Sequence, residues 1–144
     1  MAMVSPLSAK KALLIDDDDT NIARYSSLLR KEGYGVVIAK NGIDAFEKSC
    51  QESFDLIITN FAMKAGKGRT VLGMIKALLP RVPLIVITND RCAIAQTFVP
   101  LLGTCTVIKK PCAGEVFVSC VRNSLNGENT NSRQSLEVVE EKYG

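Results

Sequence analysis

The feature that most constrains this chain is an alternation: a short apolar run, a stretch with helical spacing, then another run. The runs are "KALLID" from Lys11, "GVVIAK" from Gly35, "DLIIT" from Asp55, "PLIVIT" from Pro83 and "TCTVIKK" from Thr104. Short apolar runs of this kind predict buried strands, and Pro83 to Thr88 is continuous in the way expected when both faces of a sheet are covered. Between them, Ile22, Tyr25, Leu28 and Leu29 share one helical face, with Asp18 or Asp19 as N-cap and Gly33 as the stop. Ile43, Phe46 and Cys50 mark a second helix entered through Asn41 and Gly42. Val71, Leu72, Ile75, Leu78 and Leu79 trace a third, ended by Pro80. The segment "CAIAQTFVPLLG" from Cys92 reads as a fourth helix that ends or kinks near Phe98, because Pro100 has no backbone N–H to donate. Val116, Phe117, Cys120, Val121 and Leu125 line the last. Five strands alternating with five helices predict an open parallel α/β sheet with helices on both faces, whose binding site lies at the carboxyl ends of the strands.

The chain has 144 residues, enough for one domain with a layered core and too few for two ordinary ones. Its apolar share of 47% with few aromatics and no tryptophan suits the aliphatic core that parallel sheets build. A formal net charge of +3, with the basic residues dispersed, does not point to nucleic acid. No apolar run reaches membrane-spanning length and the N-terminus lacks an apolar signal core, so a soluble protein without a membrane partner is expected. The five cysteines, Cys50, Cys92, Cys105, Cys112 and Cys120, form no C-x-x-C and read as reduced, mostly buried thiols of the cytosol or nucleus. Histidine is absent altogether. That excludes a histidine-based zinc site, a Ser-His-Asp or Cys-His pair, and a role as a phosphohistidine carrier.

If the sheet forms, its tips bring together Asp16 and Asp17, Asn60, Thr88, and Lys109 and Lys110. Adjacent carboxylates at a strand tip suit a hard cation such as magnesium, and a hydroxyl and an ammonium around the same hollow complement phosphoryl oxygens. Taken alone, Asp16 to Asp19 are better explained as acidic residues at a helix N-terminus, favoured by the helix dipole. A lone Thr or Lys ending a strand means less still. It is their joint occurrence at successive strand ends that points to a site.

From about Lys11 to Asn126 the sequence resembles the receiver domains of two-component response regulators. The resemblance is carried by "LLIDDDDTNIARYSSLLRKEGY", "AKNGIDAFEKSCQESFDLIITN", the glycine at Gly68, "PLIVIT" and "VIKKP". It implies a flavodoxin-like (βα)5 sheet with strand order 2-1-3-4-5. It further implies that Asp16 and Asp17 hold Mg2+, that the residue at the tip of the third strand takes phosphate from a phosphohistidine, and that Thr88 and Lys110 contact the phosphoryl oxygens. On this alignment the acceptor aspartate falls on Asn60. A side-chain amide has neither the charge nor the basicity to attack phosphorus, so phosphorylation there should fail, and a metal site that has lost a carboxylate should bind magnesium weakly or not at all. Other departures accompany it. Lys64 and Lys67 stand where the family usually has a proline and an acidic residue, and Val107 takes the switch position of an aromatic that responds, with Thr88, to phosphorylation. Lys64, Lys67 and Arg69 could also draw an anion toward Asn60, although three solvated charges on a loop explain them better.

These readings predict a stand-alone, monomeric, non-enzymatic pseudo-receiver at residues 11–126, between a flexible N-terminus at 1–10 and a disordered polar tail at 127–144. A short helix from Ser135 to Lys142 is the alternative for that tail. The expected partners are histidine phosphotransfer proteins or histidine kinases, bound without phosphate acceptance, as competitor or scaffold. Two rival readings remain: a working phosphoacceptor in which Asn60 is an introduced substitution or Asp17 substitutes, and a small-cofactor binder. The second is disfavoured by "DDDDTN", which would repel a phosphate.

Overall fold

The apolar runs form one parallel sheet of five strands, β1 (Lys11–Ile15), β2 (Gly35–Ala39), β3 (Leu56–Asn60), β4 (Leu84–Thr88) and β5 (Cys105–Lys109), in the order β2-β1-β3-β4-β5. This computed structural model describes residues 9–61, 68–88 and 105–126. Among the described residues four helices accompany the strands: α1 (Asp19–Lys31), α2 (Gly42–Gln51), α3 (Gly68–Leu78) and α4 (Gly114–Leu125). The helix expected around Cys92 to Gly103, the N-terminal segment before residue 9 and the polar tail with its alternative helix lie outside the described residues.

β3 and β4 are buried along their whole length, as the apolar runs Leu56 to Ile58 and Leu84 to Ile87 lead one to expect of central strands in a covered sheet. Because side chains alternate, each strand supplies two cores. Leu13, Ile15, Ile57, Leu84, Val86 and Val107 face Ala45 of α2 and Val71, Leu72 and Ile75 of α3. Ala12, Leu14, Leu56, Ile58, Ile85 and Ile108 face Tyr25 and Leu29 of α1 and Phe117 and Val121 of α4. The Phe117 ring packs on Tyr25 with centroids 4.8 Å apart, which joins the two helices of that face.

The helix ends follow local chemistry. Asp18 is the N-cap of α1, its carboxylate accepting from the backbone N–H of Thr20 and Asn21. At the other end Gly33 takes a φ of 91°, while its N–H donates to Arg30 O and that of Tyr34 donates to Leu29 O. This is a Schellman closure, in which the left-handed residue is almost always glycine. Asn41 caps α2 by accepting from Asp44 N at 2.8 Å.

α2 departs from its sequence pattern. The helix forms where expected, but Ile43 is 75% exposed, Phe46 41%, and Cys50 is exposed as well. Its small residues face inward instead: Ala45 is buried, and a Cβ on Gly42 would lie 3.0 Å from Val71 Cγ2 and 3.3 Å from Met74 Cε. A helix seated that closely on its neighbour leaves no room beneath it for Ile or Phe, so the larger apolar residues point outward. The expectation of mostly buried thiols holds for Cys105 and Cys112, not for Cys50, and Cys92 lies outside the described residues.

Candidate functional site

The strand register decides which polar residues meet. Ile15 pairs with Thr59, Asn60 with Ile87 and Thr88 with Lys109, so Asp16, Asn60, Thr88 and Lys110 emerge along one edge of the sheet. Backbone bonds carry the ladder past the strand ends and hold that edge: Asp16 N donates to Ala39 O, Phe61 N to Ile87 O and Lys110 N to Thr88 O, at 2.8 to 3.0 Å. The peptide from Lys110 to Pro111 is cis.

Asp16 is 1% exposed and Asn60 4%. Burying a carboxylate is costly unless donors surround it, and here the Asp16 oxygen Oδ1 accepts from Asp18 N at 3.0 Å and from Asn60 Nδ2 at 3.2 Å. The Asn60 carbonyl oxygen in turn accepts from Lys110 Nζ at 3.4 Å. A polar chain therefore runs from the loop after β5, through the tip of β3, to the tip of β1. Asp17 is half-buried beside it, and Thr88 is buried at the end of β4. Val107 is buried in the core beneath α2 and α3, on the same face as Val86 and two residues before Lys109. Lys64 and Lys67, and with them the suggested anion contact, lie outside the described residues.

Two contacts at this edge were not foreseen. The bond from Asp18 N to Asp16 Oδ1 is a local turn in which an Asp side chain replaces a backbone acceptor two residues on, a habit legible in principle from the Asp-x-Asp spacing. The Arg24 guanidinium donates to the carbonyl of Cys112 and lies 5.8 Å from the centre of the Tyr25 ring, tying α1 to the loop that follows Lys110 and Pro111. A bond spanning 88 positions leaves no local sequence signal.

A magnesium ion fits this arrangement poorly. It demands several oxygen ligands in close octahedral geometry. At the tip of β3 the group turned toward Asp16 is an N–H donor, which cannot ligate a cation. Among the described residues no group of three or more Cys, Asp or Glu side chains is gathered to hold a metal. Cys105 and Cys120 are not activated either. Burial pushes Cys105 up to about 12 and Cys120 up to about 11, the reverse of a reactive cysteine. No helix among the described residues is long and apolar enough to cross a membrane.

Comparison with known proteins agrees with this fold. A family model described as the response regulator receiver domain matches residues 12–122. The chain is 36% identical over 76 residues to the transcriptional regulatory protein ZraR of Klebsiella oxytoca, a match covering 53% of this chain and 17% of ZraR. It is 27% identical over 133 residues to the probable transcriptional regulator ycf29 of Porphyra purpurea, covering 88% of this chain and 64% of ycf29. Among solved structures, a CheY-like receiver domain protein from Methanospirillum hungatei JF-1 superposes with a TM-score of 0.78 at 24% identity, covering 85% of this chain and 98% of that one. The receiver domain of a signal transduction histidine kinase from Syntrophus aciditrophicus gives 0.74 at 26% identity, covering 83% and 92%. With the family model spanning most of the chain and the same fold recurring in these receivers, the protein belongs to the response regulator receiver domain family and is a module of the two-component signalling type.

Proposed function

We propose that this receiver acts by binding rather than by accepting phosphate, as a pseudo-receiver engaging histidine phosphotransfer proteins or histidine kinases of a phosphorelay in the cytosol or nucleus. Asn60 stands in for the acceptor aspartate. The observation that carries the reading is the state of its amide: buried at the tip of β3, with its nitrogen donating to Asp16 and its oxygen accepting from Lys110. Phosphoryl acceptance needs an anionic oxygen in line with phosphorus, and a neutral amide held at both ends offers none.

The outward side of α1, with Ala23, Arg24 and Ser27 exposed, adjoins Asp17 and the edge that carries Lys110. A partner that docks there finds a receiver-like face whose chemistry has been removed, so it is occupied without being discharged. The protein then serves as competitor or scaffold.

The test pairs two measurements on the same purified chain. Affinity for a histidine phosphotransfer protein is measured by calorimetry, and label is followed from a phosphorylated donor. The expected result is a complex with no label retained on this chain, and label gained by Asn60→Asp. Stable label on the unaltered protein, mapped by mass spectrometry to Asp17 or any other carboxylate, would sink the non-accepting reading, and absence of a complex would sink the binding one.

A further inference from the structure

We infer that the Asn60 amide takes the place of a divalent cation in this pocket, so that the chain keeps its buried acidic residue without magnesium. The inference rests on the same pocket as the proposed function but needs neither a partner nor a phosphate donor, and its test uses neither.

Asp16 sets the requirement that the pocket must meet. A carboxylate this deeply buried needs positive charge or hydrogen-bond donors close by. Two donors meet on a single oxygen, Oδ1: the N–H of Asp18 from the loop after β1, and Nδ2 of Asn60 from β3. The orientation of the amide follows from its neighbours. A carboxylate only accepts and an ammonium only donates. With Lys110 Nζ on one side and Asp16 on the other, Oδ1 of Asn60 must face the lysine and Nδ2 the carboxylate. Turning the amide over would set oxygen against oxygen and N–H against N–H.

An N–H hydrogen is therefore directed at the Asp16 lone pairs that a cation would otherwise use. The amide brings the positive end of a dipole where an ion would bring a full charge, and it is covalently part of β3. Its other end holds Lys110, so the tips of β1 and β3 and the loop after β5 are cross-linked by the chain itself. Carboxylate in place of amide would reverse the logic. Asn60→Asp sets a second buried carboxylate against Asp16, a like-charge pair that needs a cation between its members.

The probes are magnesium and manganese chloride, and the readouts are the thermal midpoint and the paramagnetic broadening of backbone amides. For the unaltered chain, about 10 mM magnesium should move the midpoint by less than about 1 °C relative to chelator. Manganese at submillimolar concentration should leave the Asp16, Asp17 and Asn60 resonances sharp. Asn60→Asp should melt below the unaltered protein in chelator and recover by about 4–6 °C on adding magnesium, as expected for a site of roughly millimolar affinity. Manganese broadening centred on Asp16 in the unaltered chain would overturn the inference, as would a magnesium shift equal to that of the variant. So would an Asn60→Asp protein indifferent to magnesium, since the amide would then not be what stands in for the ion. If the variant does not fold, the manganese result on the unaltered chain decides alone.

Discussion

Lys110 Nζ lies 3.4 Å from Asn60 Oδ1, so the ammonium on the loop after β5 is tied to the tip of β3, two strands away in the sheet. The bond is long and half-buried, which bounds its energy. Lys110→Met should lower stability by about 1 kcal/mol, the usual worth of a hydrogen bond to a charged group discounted for that length. The side-chain amide resonances of Asn60 should move at the same time. Urea titration and a nitrogen-15 spectrum check the two expectations together. An unmoved Asn60 signal would mean that the contact is not made in solution.

Thr59 neighbours the site in sequence but faces the core beneath α2 and α3. Its hydroxyl is fully buried and has no hydrogen-bond partner among the described residues. A buried hydroxyl left unpaired costs about 1–3 kcal/mol, and valine has nearly the same shape without it. Thr59→Val should therefore raise the urea midpoint, by an amount equivalent to about 1 kcal/mol, with an unchanged slope. A loss of stability would reveal a partner for that hydroxyl.

Gly33 tests backbone strain apart from crowding. Its φ is 91°, and a Cβ placed there would meet nothing within 4 Å. Any penalty of Gly33→Ala thus comes from the left-handed conformation alone, about 1 kcal/mol. Gly35→Ala, where φ is not positive and the nearest atoms stand at 3.9 Å, is the control and should cost less. Denaturant midpoints of the two variants settle the comparison.

The pH dependence of stability follows from buried acids. Burial raises Cys105 from 9.0 to about 12 and Cys120 to about 11, and it raises Tyr25 as well. An acid whose folded pKa lies above its unfolded value keeps its proton longer in the native state. Its contribution is complete below about pH 9, and stability falls as the pH climbs toward the folded value. The slope is about 1.4 kcal/mol per pH unit for a fully buried thiol, and smaller for Cys120, which is partly solvent-screened. Urea midpoints between about pH 8 and about pH 10.5 should decline, and Cys105→Ala should flatten the decline despite a lower starting stability. An equal slope in that variant would dismiss the assignment to Cys105.

What the sequence determined by itself was the scaffold. Strands at Leu56 to Thr59 and Leu84 to Thr88, the cap at Asp18 and the stop at Gly33 were legible because each depends on residues adjacent in the chain, through apolar periodicity or local backbone hydrogen bonding. The candidate residues Asp16, Asn60, Thr88 and Lys110 were legible as strand endings for the same reason. How they engage one another was not. Register sets Asn60 beside Asp16, and the carboxylate on one side with the ammonium on the other turned its amide nitrogen to Asp16 and its oxygen to Lys110. The outward turn of Ile43 and Phe46 was likewise decided in three dimensions, where the tight approach of Gly42 to Val71 and Met74 outweighed the apolar spacing along the helix. Periodicity reports which residues share a face, whereas the space available beside a neighbouring element decides which face is buried.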